Sequence, residues 1–538
     1  MKIKPTLYLP VLIAVFLVIG IYIGRQLSYF SDINQAFYAL SQNKKISNNK
    51  IDNLLRYIQE EYVDTVNLDS LSDKVVENIL EQLDPHSGYI PAKDLASLTE
   101  GMEGNFDGIG IEFNILNDTI TVVSAISGGP SEALGIQTGD RIVKVDGKNV
   151  CGIKITNEDV VKRLRGKKGT QVKVEIKRKS VREILNYTIT RDAIPLYSMD
   201  VAYMVTPLTG YIKISRFAAT TYKEYLEAFN KLKIKGMKNL ILDLRGNPGG
   251  YLDAATKIAD EFLSDGQMIV YTSGKARPKE EYKATINGSF EKGKLCVLID
   301  EGSASASEII AGAIQDNDRG TIIGRRSFGK GLVQEQSEFG DGSALRLTIA
   351  RYYTPSGRCI QKPYEIGKQT HYYEEELERY QNGELYHADS IKTNEKEKYK
   401  TSKGRVVYGG GGITPDEFIP LDTSGRNKII NEVAYSGLFN KYAIHYCDNN
   451  RLKLKDKYPV FTIYQKEFEI DNMLLNDFES FVAIHKIKGK LPKNQSSLKL
   501  IKTQLKALIG RILFKNEGYY PILLQEDKAI QKALEKMN

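Results

Sequence analysis

The chain is poor in the residues that build metal and disulfide sites. Its four cysteines, Cys151, Cys296, Cys359 and Cys447, lie far apart and fall into no CxxC or Cys/His spacing. That excludes a structural zinc site of the usual pattern, and it leaves the redox compartment open. Cys296, inside Leu295-Cys296-Val297-Leu298-Ile299, is expected in a core. No basic block is present either. The net charge of +8 comes from dispersed lysines, the pattern of a solvated surface and not of a nucleic-acid binder. The turn Asn247-Pro248-Gly249-Gly250 lacks the GxxxxGK[ST] or GxGxxG spacing of phosphate loops. No disordered or collagen-like bias is seen, and neither a metal nor a cofactor is expected. Histidine is scarce: of five, only His86 precedes residue 371.

What is present is enough chain for three to four domains, about 150 residues each. Lys2 and Lys4 precede an uncharged stretch, 5–24, closed by Arg25. About twenty apolar residues span a bilayer, and leading lysines favour a cytoplasmic N-terminus. No A-x-A-like cleavage site follows, although Gly20 and Gly24 leave room for one. The expectation is an uncleaved anchor with an extracytoplasmic body.

From Ser31 to Leu95 the apolar spacing is helical, ending where Pro85 stops a helix in Leu83-Asp84-Pro85-His86-Ser87-Gly88-Tyr89. From Phe106 to Asp192 it changes to short strands. Gly108-Ile109-Gly110-Ile111-Glu112-Phe113 opens this block, Gly139-Asp140-Arg141-Ile142-Val143 follows, and a helix (157–165) and a strand (171–177) complete it. The order resembles a PDZ domain, with Gly108, Ile109, Gly110 and Ile111 as its carboxylate-binding loop. Such domains take an extended peptide as an added strand and capture its terminal carboxylate. From Gly210 to Gln361 apolar strands such as Leu240-Ile241-Leu242 alternate with helices, which implies a mainly parallel α/β sheet. Residues 363–405, charged and rich in tyrosine, are expected to be a solvated insertion. Beyond Asn427 the pattern is helical. The basic amphipathic stretch Leu498, Ile501, Leu505, Leu508, Ile512 suits packing inside a C-terminal helical domain.

Chemistry concentrates in two motifs, Gly302-Ser303-Ala304-Ser305-Ala306-Ser307-Glu308 and Ser327-Phe328-Gly329-Lys330-Gly331. A serine where a buried strand turns into a helix has free N–H groups and a positive field beside it, both suited to an oxyanion. Taken alone, Ser303, Ser305 or Ser307 is a helix cap. A serine nucleophile needs a base, and no histidine lies between the motifs. Lys330 can serve if burial keeps its amine neutral, as apolar Phe328, Leu332 and Val333 allow. In an extended segment Lys330, Leu332 and Gln334 share one face, so the Gln334 amide could orient that amine. A Ser-His-Asp triad through His86 is the rival, weakened by its place after a helix-stopping proline.

Taken in order, these motifs and Gly410-Gly411-Gly412-Ile413-Thr414-Pro415-Asp416 resemble the membrane-anchored bacterial carboxy-terminal processing peptidases (tail-specific serine proteases), from about Leu83 to Asp416. The resemblance implies a crotonase-like (ClpP-like) α/β core with an inserted PDZ domain. It implies Ser305 as nucleophile, Lys330 as base 25 residues on, Gln334 in support, and an oxyanion hole from the Ala306 and Gly250 N–H groups. Arg165 matches a position that couples the PDZ domain to the active site; a plain helix-end cation is the alternative. The expected domains are a transmembrane anchor (1–25), a helical region (31–100), the PDZ domain (101–192), the protease core (193–426, insertion 363–405) and a helical C-terminal domain (427–538). The expected partners are protein C-terminal tails, the membrane through the N-terminal helix, and adaptor or oligomer partners through the C-terminal domain, with no nucleic acid. The expected place is the inner membrane, single-pass, with the body in the periplasm. The competing function is a membrane-tethered PDZ adaptor whose protease-like core is inactive.

Overall fold

The computed structural model describes residues 50–485, 487 and 489–538. The expected anchor, 1–25, lies outside them; among the described residues no helix is long and apolar enough to cross a membrane. The structure divides into two compact units between Asn78 and Ile79. In the first, the helix Lys50–Glu61 buries none of its residues.

The second unit is organised by a six-stranded sheet. Its order is Met199–Met204, Thr209–Ile214, Asn239–Asp243, Lys294–Ile299, Thr321–Gly324, Glu417–Phe418, parallel from the second strand onward. Both faces are covered, which explains the unbroken apolar runs of its strands. Alternate side chains go to opposite faces. Ile212, Leu240, Leu242, Val297 and Ile299 pack on the helices Thr221–Ile234, Leu252–Asp260 and Ala306–Asp316. Tyr211, Ile241, Cys296, Leu298 and Ile323 pack on Ala529, Ile530, Ala533 and Met537 of the helix Lys528–Met537. Each isoleucine fully withdrawn from water contributes about 1.5–3 kcal/mol. A second, antiparallel sheet places Leu332–Glu338 and Gly88–Ile90 against Ala344–Tyr353.

The PDZ sheet runs Ile111–Ile115, Ile120–Ala125, Arg141–Val145, Gln171–Lys177, Ile184–Thr190. Its helix Asn157–Leu164 starts at a reciprocal cap, in which Asp159 N–H donates to Thr156 Oγ1 and Thr156 N–H to Asp159 Oδ2. The chain enters and leaves this domain through one antiparallel pair, Asn105–Gly108 with Asp192–Pro195.

Two expectations about the later chain are extended. The stretch 363–405 is not merely a solvated insertion. Its helix Gln369–Gln381 buries Tyr372 and Arg379, and Arg379 and Arg326 share the buried carboxylate of Glu384 at 2.9 and 2.6 Å. Most of the segment is exposed, but Arg379 and Glu384 are buried as a paired set. The C-terminal helices have a core of their own, which buries Ile501 and Leu505, and they also reach both neighbours. Asp448 meets Arg141 of the PDZ domain at 3.1 Å, and Lys515 meets Glu132 at 2.8 Å. On the core side, Tyr520 donates to Asp200 at 2.7 Å.

Asp527 pairs with Arg245 at 2.8 Å, and Arg245 in turn holds the fully buried Asp243 at 2.6 Å. Burial alone would raise the Asp243 carboxyl, but Arg245 and Lys213 hold it below the usual carboxylate range. Removing the guanidinium leaves a buried charge with weaker partners, Tyr211 at 2.6 Å and Lys213 at 3.8 Å. Arg245→Ala is therefore expected to destabilise the fold by about 3 kcal/mol, read as a lower urea midpoint.

Candidate active site

The two motifs are brought together by one carboxylate. Glu308, wholly buried in the first turn of the helix Ala306–Asp316, accepts from Ser305 N–H at 2.8 Å, Ser327 Oγ–H at 2.5 Å, Gly329 N–H at 2.7 Å and Lys330 N–H at 2.9 Å. Ser305 and Lys330 meet at the same oxygen, Oε2. The Tyr352 hydroxyl also bridges them, touching the carbonyl oxygens of both residues. Burial pushes the Glu308 carboxyl up to about 7, against the four donors that hold it down.

The three serines separate by environment. Ser303 and Ser307 are fully buried, and their hydroxyls donate to the carbonyls of Leu244 at 2.9 Å and Asn247 at 3.0 Å. Ser305 is half-buried. It sits at φ 54°, ψ −112°, outside the favoured regions for a residue with a Cβ, at a cost of about 1–3 kcal/mol. The strain persists because its N–H is held by Glu308 while its carbonyl accepts from the Glu308 and Ile309 N–H groups at 2.9 and 3.0 Å. Ala306 follows as the first helical residue, where an N–H has no partner inside the helix.

The glycine turn lies against this serine. A methyl added at Gly249, φ +101°, would fall 2.7 Å from Ser305 Cβ and 2.8 Å from Ala304 O. The Gly249 N–H is taken by Asn247 Oδ1 at 2.8 Å. Gly250 differs. Phe217 N–H donates to Gly249 O, and Tyr251 N–H to Phe217 O, so the Gly250 N–H points away from Phe217. Of the two glycines it is the one with a donor to spare.

Lys330 is half-buried and forms no ion pair among the described residues. Burial, then the Arg346 charge, lowers its amine below the ordinary lysine value; Glu308 and Asp84 oppose this. Gln334 lies in the strand Leu332–Glu338 that follows Lys330. The register shift at this point comes from an extra residue, Ile349, in the facing strand, and the Gln334 amide donates to Thr348 Oγ1 at 3.3 Å. His86 forms no hydrogen bond with Ser305; its Nε2 meets the Tyr372 hydroxyl at 3.0 Å. Burial, then the Lys330 charge, lowers its imidazole to about 4, so it is neutral and weakly basic.

The PDZ residues lie in their own domain. Ile109 O accepts from Ser131 Oγ at 2.6 Å, and Gly110 O from Ile126 N–H at 3.0 Å. In trans peptides this turns the N–H groups of Gly110 and Ile111 the other way. The strand Ile111–Ile115 is a sheet edge. Gly108 lies beside Arg165, 3.7 Å from a methyl placed on it to the arginine Cγ. Arg165 pairs with Glu100 and stacks 4.4 Å over the ring of Phe106, which places it on the strand pair that joins the domain to the rest. Glu308, Tyr352 and Thr348 were missed from sequence. Only Glu308 had a signal there, the Ser-x-x-Glu spacing of a capping box.

Along much of its length the chain is similar to known proteases. Residues 208–371 match Peptidase family S41, residues 108–189 a PDZ domain, and residues 429–515 a family of unknown function. A carboxy-terminal-processing protease of Bartonella bacilliformis is 35% identical over 351 residues, 64% of this chain and 80% of that protein. A probable CtpA-like serine protease of Staphylococcus aureus is 37% identical over 332 residues, 61% of this chain and 65% of that one. Among solved structures, a photosystem II D1 C-terminal processing protease aligns at 26% identity, covering 68% of this chain and 85% of that one, with a TM-score of 0.36. Relatives named as proteases set the inactive-adaptor alternative aside.

The packing of Gly249 on Ser305 gives a direct test. Gly249→Ala is expected to lower peptide cleavage by about a hundredfold or more, because the overlap displaces the serine. Steady-state kinetics on a quenched peptide would measure it.

Proposed function

The chain belongs to peptidase family S41 as a carboxy-terminal processing serine protease with a PDZ domain, and from that premise we propose that Ser305 and Lys330 form its catalytic dyad. The observation that carries this reading is the Glu308 oxygen shared by the two backbone N–H groups. Neutral Lys330 takes the Ser305 hydroxyl proton as Oγ attacks the scissile carbonyl. The oxyanion is received by the Ala306 and Gly250 N–H groups at the helix N-terminus. The lysine then gives its proton to the leaving amine, and a water molecule releases the acyl group with the lysine again as base. Gln334 supports the lysine from its own strand.

The substrates in this reading are extracytoplasmic proteins cut near their C-termini. The outward N–H groups of Gly110 and Ile111 and the open edge Ile111–Ile115 suit capture of a terminal carboxylate and an added strand. Arg165, on the connecting strand pair, couples that event to the core. The uncharged stretch 5–24 supports a single-pass anchor in the inner membrane with the body in the periplasm. Adaptor or oligomer partners of the C-terminal helices have less support, since those helices contact the PDZ domain and the core of their own chain.

Ser305→Ala and Lys330→Ala are each expected to reduce cleavage of a labelled peptide by about three orders of magnitude or more. Substantial cleavage in either variant would remove the dyad. Amidating the peptide C-terminus is expected to raise KM if the PDZ loop reads the carboxylate, and equal kinetics for acid and amide would remove that role.

A further inference from the structure

The motif Leu83-Asp84-Pro85-His86-Ser87 has no part in the dyad as described, yet it sits beside Gln334. Asp84 is 7% exposed and has no ion pair among the described residues. Its Oδ1 accepts from the N–H groups of His86 at 2.9 Å and Ser87 at 3.0 Å, and from Thr348 Oγ1 at 3.0 Å. Its Oδ2 accepts from Ser87 Oγ at 2.5 Å. Thr348 Oγ1 is the atom that receives the Gln334 amide, and Thr348 is the cross-strand partner of Gln334. A continuous chain of hydrogen bonds therefore runs from Asp84 through Thr348 to Gln334.

Holding the loop in place does not require the charge on Asp84. The loop is anchored from three other directions: Gly88–Ile90 pairs with Ala344–Tyr353, the Tyr373 hydroxyl donates to Pro85 O at 3.0 Å, and Gln369 Nε2 donates to Asp84 O at 3.3 Å. A neutral asparagine could accept the two backbone N–H bonds. What asparagine lacks is a negative charge, and the charged groups around the lysine amine are few. They are Glu308 from the helix Ala306–Asp316, Arg346 from the strand Ala344–Tyr353, and Asp84 from this loop, with neutral His86 alongside.

We infer that Asp84 is a positioning residue for the dyad, fixing Gln334 through Thr348 and placing a buried negative charge to stabilise the Lys330 ammonium that forms when Ser305 is deprotonated. The inference rests on the reading of Ser305 and Lys330 as the dyad. Removing the Asp84 charge favours the neutral amine, so the base stays active to lower pH. The same change destabilises the ammonium, so the plateau rate falls.

The test is the pH profile of kcat/KM and kcat for the full chain in detergent, with a quenched peptide. Asp84→Asn is expected to move the acidic limb down by about one pH unit and to lower kcat by about tenfold to a hundredfold. Thr348→Val, which keeps the charge, is expected to lower kcat and leave the limb in place, with Thr348→Ser restoring the rate. An unmoved limb in a folded Asp84→Asn protein overturns the inference. If Asp84→Asn does not fold, the threonine pair decides, and wild-type kinetics in Thr348→Val overturns it. Lys330→Ala run alongside separates the two readings: activity there sinks the dyad itself, while an inactive Lys330→Ala with an unmoved Asp84→Asn limb sinks only the role of Asp84.

Discussion

One buried carboxylate organises the centre of this molecule. Glu308 is out of reach of water, so its charge must be met by protein donors or lost. The donors it has are the backbone N–H of the strained serine, a serine hydroxyl, and two consecutive N–H groups of the lysine loop. Satisfying the glutamate and aligning the two motifs are thus the same event. The positive φ of Ser305 becomes tolerable for the same reason, since the turn cannot relax without giving up a bond to a buried charge.

Around that point the fold uses buried charge repeatedly, each time with paired partners. Arg245 ties Asp243, at the end of a central strand, to Asp527 in the C-terminal helices. Arg326 and Arg379 converge on Glu384 and fasten the Gln369–Gln381 helix to the core beside the lysine loop. Lys362, only 2% exposed, lies over the rings of Phe328 and Tyr372 and pairs with Glu375. Lys330 itself forms no ion pair among the described residues, and burial followed by the Arg346 charge keeps its amine below the ordinary lysine value. The C-terminal helices, whose matching family has no known function, close one face of the main sheet and also touch the PDZ domain. They contact both the PDZ domain and the core.

Much of the plan was legible in the residues. The apolar strand runs, the change to short strands at Phe106, the glycine turn and the small-residue serine run are local signals that carry over directly into elements. Three features depended on a distant partner. Residues 363–405 are largely exposed, as their charge suggests, but charge in sequence gives no hint of pairing, and Arg379 is buried on Glu384. Gln334 was expected on the lysine face by alternation, and its cross-strand partner Thr348 is what receives its amide. Glu308 was visible three residues after Ser305, but its second role needed the loop around Gly329 to arrive.

The sequence by itself determined the strand–turn–helix that presents a serine, the glycines that let another backbone approach it, and a lysine in apolar company. Those are short-range matters, set by propensity, sterics and spacing. Only the tertiary structure decided which of three serines is half-open and strained, which glycine keeps a free N–H, and that Asp84 stands behind Gln334. Each of those depends on desolvation and on hydrogen-bond partners from remote segments, and no local pattern encodes which donor a buried acceptor will finally meet.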